Sequence, residues 1–194
     1  MSHLNNADRD ERIEEQAVSR RTMLRRLLAG MSGIVLLQPW RHVARAAQER
    51  RLRFFHTHTG EWLSIVYFAE GEYRAGALEE VDRFLRDFRT GDVHRIDPKL
   101  LDVLHAIQEA TESQGTFEVI SAYRSPTTND MLRRRSGGVA KKSLHMQGAA
   151  IDVRLTDVET SLLRDAALKL KRGGVGYYPQ SDFVHVDTGR VRRW

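Results

Sequence analysis

The run Ser-Leu-His-Met-Gln-Gly-Ala-Ala-Ile-Asp-Val-Arg-Leu, residues 143–155, constrains the fold more than any other stretch of the chain. From Ala149 onward it is small, apolar and β-branched, which reads as a strand entering a core. Yet it carries His145 and Asp152, seven positions apart, on either side of Gly148. A fold that buries this strand must find partners for an imidazole and a carboxylate, because an unpaired buried polar group costs on the order of 1–3 kcal/mol. Ordinary hydrogen bonds would provide them, and so would a metal ion.

A second segment answers the first. Asp-Phe-Val-His-Val-Asp, residues 182–187, alternates like a strand and supplies Asp182, His185 and Asp187. The chain has no cysteine, which excludes a thiol nucleophile, a thiolate zinc site and a disulfide framework, so any metal must be held by histidine and carboxylate. Zn²⁺ takes imidazole nitrogen and carboxylate oxygen at ~2.0–2.2 Å, and catalytic sites use three protein ligands with one position left for water. His145, Asp152 and His185 make such a set. His56 and His58 form a second possible pair, His-x-His on a strand, without a third ligand near in sequence. His94 sits in a loop with nothing near it in sequence, and His105 falls one residue past the apolar stripe of a helix, a surface or boundary position.

Residues 1–46 read as an address. Ser19, Arg20, Arg21, Leu24 and Arg25 precede an apolar run from Leu27 to Leu37, and Ala44 and Ala46 fit cleavage before Ala47. That run is too short for a bilayer, which needs about 20 apolar residues. The order of parts is that of a Tat-type bacterial export signal; a basic amphipathic helix lying on a membrane is the alternative. Residues 47–194 then form the mature domain, with no stable membrane insertion and a periplasmic location. Residues 1–46 hold 8 Lys/Arg against 5 Asp/Glu, and residues 47–194 hold 23 against 21. The body is thus nearly balanced, which argues against a nucleic-acid partner.

The body alternates strand and helix signals. Residues 51–68 read as a β-hairpin, and residues 76–91 as a helix with Leu78, Val81, Leu85 and Phe88 on one face and Gly91 as its stop. Asp97 and Pro98 open a helix that buries Leu101, Leu104, Ala106 and Ile107 and ends before Gly115. Residues 117–125 and 149–155 read as strands, Pro126 to about Arg135 as a short helix, 133–142 as a basic loop, 158–174 as a helix and 175–189 as two short strands around a turn. This predicts an α+β domain, an antiparallel sheet packed against helices.

The segments S-L-H-M-Q-G-A-A-I-D and D-F-V-H resemble the S-x-H-x-x-G-x-A-x-D and E-x-x-H motifs of the zinc D-Ala-D-Ala dipeptidase and carboxypeptidase family of VanX-like enzymes. Residues 50–194, including F-H-T-H-T-G-E near the start and F-V-H-V-D-T-G-R-V-R-R-W at the end, look like the MepK-type branch of exported murein endopeptidases. The resemblance implies a hedgehog-type fold and makes His145, Asp152 and His185 the zinc ligands. Asp182 stands where the family has its catalytic base, usually glutamate and one methylene longer. Arg124, in Ser-Ala-Tyr-Arg-Ser, matches the arginine that stabilises developing negative charge; a structural arginine at a strand end is the other reading. Ser143 would bind substrate or cap a turn. Asp187 would orient a ligand or pair with Arg190, and Tyr123 and Tyr177 would line the cleft or fill the core.

The resemblance and the export signal together imply a zinc-dependent murein endopeptidase, with peptidoglycan stem peptides and cross-links as its partners. A D,D- or L,D-carboxypeptidase and a non-catalytic, zinc-stabilised peptidoglycan-binding domain stay open as alternatives.

Overall fold

The computed structural model describes residues 49–136 and 138–194; the export signal expected over residues 1–46 lies outside them. The hairpin forms as expected from β1 (Arg50–His56) and β2 (Trp62–Ala69), paired antiparallel. Its period of two is visible in β1, where Leu52, Phe54 and His56 are buried and Arg51 and Arg53 are exposed. After a two-residue strand β3 (Glu72–Tyr73), helix α1 runs over Ala75–Phe84 and stops short of the expected Gly91. The buried carboxylate of Asp87 accepts hydrogen bonds from the backbone N–H groups of Arg89 and Ser125, at 3.0 and 2.9 Å, which holds the chain in a turn there.

Helix α2 (Pro98–Ala110) begins as its sequence indicates: the Asp97 side chain accepts from Lys99 N–H at 3.0 Å, and Pro98 takes the first helical position. Strand β4 (Phe117–Ser121) leads into α3 (Pro126–Arg135), capped by Ser125. Strand β5 (Ala150–Leu155), helix α4 (Thr160–Leu170) and strands β6 (Gly174–Tyr178), β7 (Phe183–Asp187) and β8 (Arg192–Arg193) complete the order. One sheet joins the strands in the order β3-β2-β1-β4-β5-β7-β6-β8. It is mixed rather than wholly antiparallel, since β4 runs parallel to β1 and β8 parallel to β6. The first of these pairs needs a crossover, which α1 and α2 provide.

The two faces of the central strands differ in chemistry. Phe117, Val119, Ile151, Val153, Leu155, Val184 and Val186 form one core with Leu101, Leu104, Ile107 and Leu163 of the helices. The alternate positions of the same strands carry the polar residues. Fully burying each large apolar side chain on the first face contributes roughly 1.5–3 kcal/mol, and that packing holds the second face rigid.

Candidate metal centre

Register alone lines up the site. Ser121 pairs with Asp152 across a bulge in β4, Asp152 pairs with His185, and His185 pairs with Gly176, so β4, β5, β7 and β6 contribute one row on the polar face. His145 reaches this row from a 3-10 turn, Leu144–Gln147, whose start is capped by the Ser143 hydroxyl. The turn reverses at Gly148, where φ is +63° and a Cβ would fall 2.2 Å from the Arg95 carbonyl oxygen. Only glycine meets both conditions.

Three donor atoms converge. His145 Nε2 lies 3.2 Å from His185 Nδ1 and 3.3 Å from Asp152 Oδ1, and His185 Nδ1 lies 2.8 Å from Asp152 Oδ1. Two ligands about 2.1 Å from a tetrahedral ion are about 3.4 Å apart, so the triangle fits one small divalent cation. The far nitrogen of each ring is engaged elsewhere. His145 Nδ1–H donates to the Ala122 carbonyl at 2.7 Å, and His185 Nε2–H donates to Asp187 Oδ2 at 3.0 Å. These bonds set the tautomers and aim the remaining lone pairs at the shared point.

The electrostatics agree with a cation at that point. Burial pushes the Asp152 carboxyl up, but the charge and hydrogen bonds of His145 and His185 outweigh it and hold it well below the usual carboxylate range. Burial lowers the His185 imidazole, yet the hydrogen bonds and charges of Asp152 and Asp187 leave it raised. Asp187 itself is fully buried; Arg192 and the N–H groups of Gly174 and Gly189 surround its carboxylate. Arg124 Nη2 stands 4.0 Å from Asp152 Oδ2. The group opens into a cleft of about 710 Å³ that Arg124, Lys142 and Ser143 also line.

A family profile described as peptidoglycan L,D-endopeptidase MepK, within the M15 peptidases, matches residues 44–194. The chain belongs to this family. It is 39% identical over 175 residues to the peptidoglycan L,D-endopeptidase MepK of Escherichia coli (strain K12), covering 88% of this chain and 96% of that protein. It is 44% identical over 146 residues to the probable peptidoglycan L,D-endopeptidase MepK of Haemophilus influenzae, covering 75% and 78%. M15 peptidases are metal-dependent, and the group of His145, Asp152 and His185 is able to hold a metal.

One expected member of this M15 site stands apart. The Asp182 carboxylate accepts from Thr160 Oγ1 at 3.0 Å and pairs with Arg154 Nη1 at 3.3 Å, lining a neighbouring hollow with Glu118 and Thr160. Arg154 is two residues beyond Asp152 on the same strand, so Asp182 is drawn one row along the sheet, away from the ligands. These contacts tie Asp182 to the β6–β7 turn, and the base role expected of it from the resemblance stays an expectation. Asp152 is the sole residue with a side-chain carboxylate among the described residues that line the cleft.

Other expectations resolve in detail. Asp187 pairs with His185 and Arg192, not with Arg190. His58 stacks on Phe88 at 4.0 Å and His56 is buried beside it, and no third ligand joins them among the described residues. His94 stacks on Tyr123 at 4.7 Å behind the Gly148 turn. Tyr177 lies under the Arg164 guanidinium, outside the cleft. His105 is half-buried beside Glu109. Sequence reasoning missed Tyr178, Phe183, Arg192 and Trp194, all of which line the cleft. Phe183 is two residues from His185 on one strand, so the period-two rule that placed Asp187 beside His185 points equally to Phe183.

Proposed function

We propose that this chain is an exported, zinc-dependent murein endopeptidase that hydrolyses an L,D-amide bond in peptidoglycan cross-links. The observation that carries this reading is the convergence of His145, Asp152 and His185 donor atoms, 2.8–3.3 Å apart, at the floor of an open cleft. The named activity of the family's curated relatives supports the substrate class, and the twin-arginine segment supports export to the periplasm.

A zinc ion held by these three residues would supply a Lewis acid and a water acidified to a pKa around 7. Asp187 keeps His185 in the tautomer and orientation that ligation needs. Arg124 supplies fixed positive charge toward the carbonyl oxygen as it becomes negative. Its Nε is buried without a hydrogen-bond partner, and its Nη contacts to Asn129 and Ser121 are long, at 3.5 Å each. The guanidinium thus keeps donor capacity for a substrate. Arg124 and Lys142 make the cleft cationic, which suits the carboxylates of murein stem peptides.

The test is digestion of purified murein sacculi by the full chain, with the released muropeptides resolved by mass. Zinc-loaded protein should cut cross-links, a chelator should stop the reaction, and added zinc should restore it. Failure of the zinc-loaded chain to release any muropeptide would overturn the reading.

A further inference from the structure

The β6–β7 end of the cleft is walled by aromatic rings and carries a hydroxyl that the metal centre leaves without a role. Tyr178 pairs with Phe183 across the two strands, and their rings stack at 4.6 Å. Trp194 lies over Gly176, its indole 5.2 Å from the His185 ring, with the Arg192 guanidinium 4.8 Å from its centroid. Backbone bonds from Tyr177 N–H to the Trp194 carbonyl and from Trp194 N–H to the Val175 carbonyl, at 3.1 and 3.2 Å, fasten it. The backbone that carries the ring is therefore held in place, although Trp194 is 51% exposed.

Trp194 Nε1–H donates to Tyr178 Oη at 2.8 Å. An indole nitrogen only donates, so the tyrosine oxygen accepts in this bond and its own proton points elsewhere. Among the described residues nothing accepts that proton. Tyr178 lines the same cleft as Arg124 and the three candidate ligands. The cleft thus offers a fixed cation at the end of β4 and a free neutral donor at the end of β6, on either side of the ligand row.

We infer that Tyr178 is a catalytic residue, donating a hydrogen bond from Oη to the scissile carbonyl oxygen as negative charge develops on it, and that Trp194 is its positioning residue. The inference rests on the amide hydrolysis proposed above. That reaction breaks the C–N bond and adds the elements of water, hydroxide to the acyl carbon and a proton to the amine. The Tyr178 proton is shared with the oxyanion and stays on Oη, so no further reagent is needed.

Tyr178→Phe keeps the ring and the stack on Phe183 and deletes one oxygen. In the zinc-loaded full chain, kcat on murein cross-links should fall about 10- to 100-fold with KM within about two-fold. Zinc content and Tm should match wild type. A phosphinate dipeptide, which mimics the tetrahedral state, should lose affinity in calorimetry by about the factor seen in kcat, while a product stem peptide binds as before. Trp194→Phe should give a smaller loss, and the double variant should be no worse than Tyr178→Phe alone. Wild-type kcat and phosphinate affinity in Tyr178→Phe overturn the inference and leave the proposed function standing, as does a loss confined to KM. A zinc-loaded wild type that releases no muropeptide overturns the proposed function, and this inference with it.

Discussion

Asp187 Oδ2 lies 3.0 Å from His185 Nε2, and no part of Asp187 is exposed to solvent. The carboxylate is fixed on its other side by Arg192 Nη2 at 2.6 Å and by the Gly174 N–H at 3.0 Å. A buried, immobile acceptor of this kind orients the ring and raises its basicity toward a metal. Asp187→Ala should weaken zinc binding about 10- to 100-fold, and Asp187→Asn, which keeps an acceptor, by less. Competition against a chromogenic chelator measures both.

Asp182 makes the opposite prediction. Its side chain is 59% exposed and its contacts are to Arg154 and Thr160, not to the ligand row. Asparagine tolerates the φ of +50° found there and can still accept from Thr160. Asp182→Asn should keep turnover within about two-fold and cost at most about 1 kcal/mol, the ordinary scale of an exposed ion pair. A fall of two or more orders in kcat with zinc retained would establish the base role that the resemblance implies.

Gly176 seats Trp194. A Cβ there would come within 2.6 Å of the indole, the far end of a side chain that is able to move aside. Gly176→Ala should therefore displace the ring at a stability cost below about 1 kcal/mol, since relief needs no backbone shift. Tryptophan emission should change in Gly176→Ala, and the change should vanish in a Trp194→Phe background. An unchanged emission spectrum in Gly176→Ala would mean the indole is not seated on Gly176.

His56 predicts an acid limb in stability. It is 1% exposed, edged by Phe84 and Phe88, and its Nε2 has no hydrogen-bond partner. Burial, helped by the nearby His58, pushes it from its ordinary 6.5 down to about 4. The unfolded chain then binds a proton that the folded chain refuses, so this contribution is complete above pH 6.5 and is lost as pH falls toward 4. Between pH 7 and pH 5 the loss should be about 2 kcal/mol. Urea unfolding of His56→Leu at the two pH values should show a shallower loss than wild type, whatever its absolute stability.

The candidate ligand group was legible because each residue sits in a short motif with local meaning. His145, Gly148 and Asp152 lie within eight positions, and Gly148 satisfies a turn that depends on nearby backbone alone. Asp97 and Pro98 declared the start of α2 for the same reason. The surroundings of Asp182 were not legible, because its proximity to His185 in sequence says nothing of Arg154, which reaches it from another strand. The end of α1 was misplaced likewise: Asp87 is held by Ser125, 38 residues away.

By itself, then, the amino-acid order determined which chemistry was open to this protein: no thiols, two histidines and a carboxylate in spaced motifs, and strands with one apolar face to carry them. Tertiary structure decided which side chains share the cleft, because that depends on register across β4, β5, β7 and β6 and on where one long cation comes to rest. Period-two alternation is a local property and can be read along one strand. The pairing that puts Trp194 beside His185 and Asp182 beside Arg154 is set by the packing of the whole sheet.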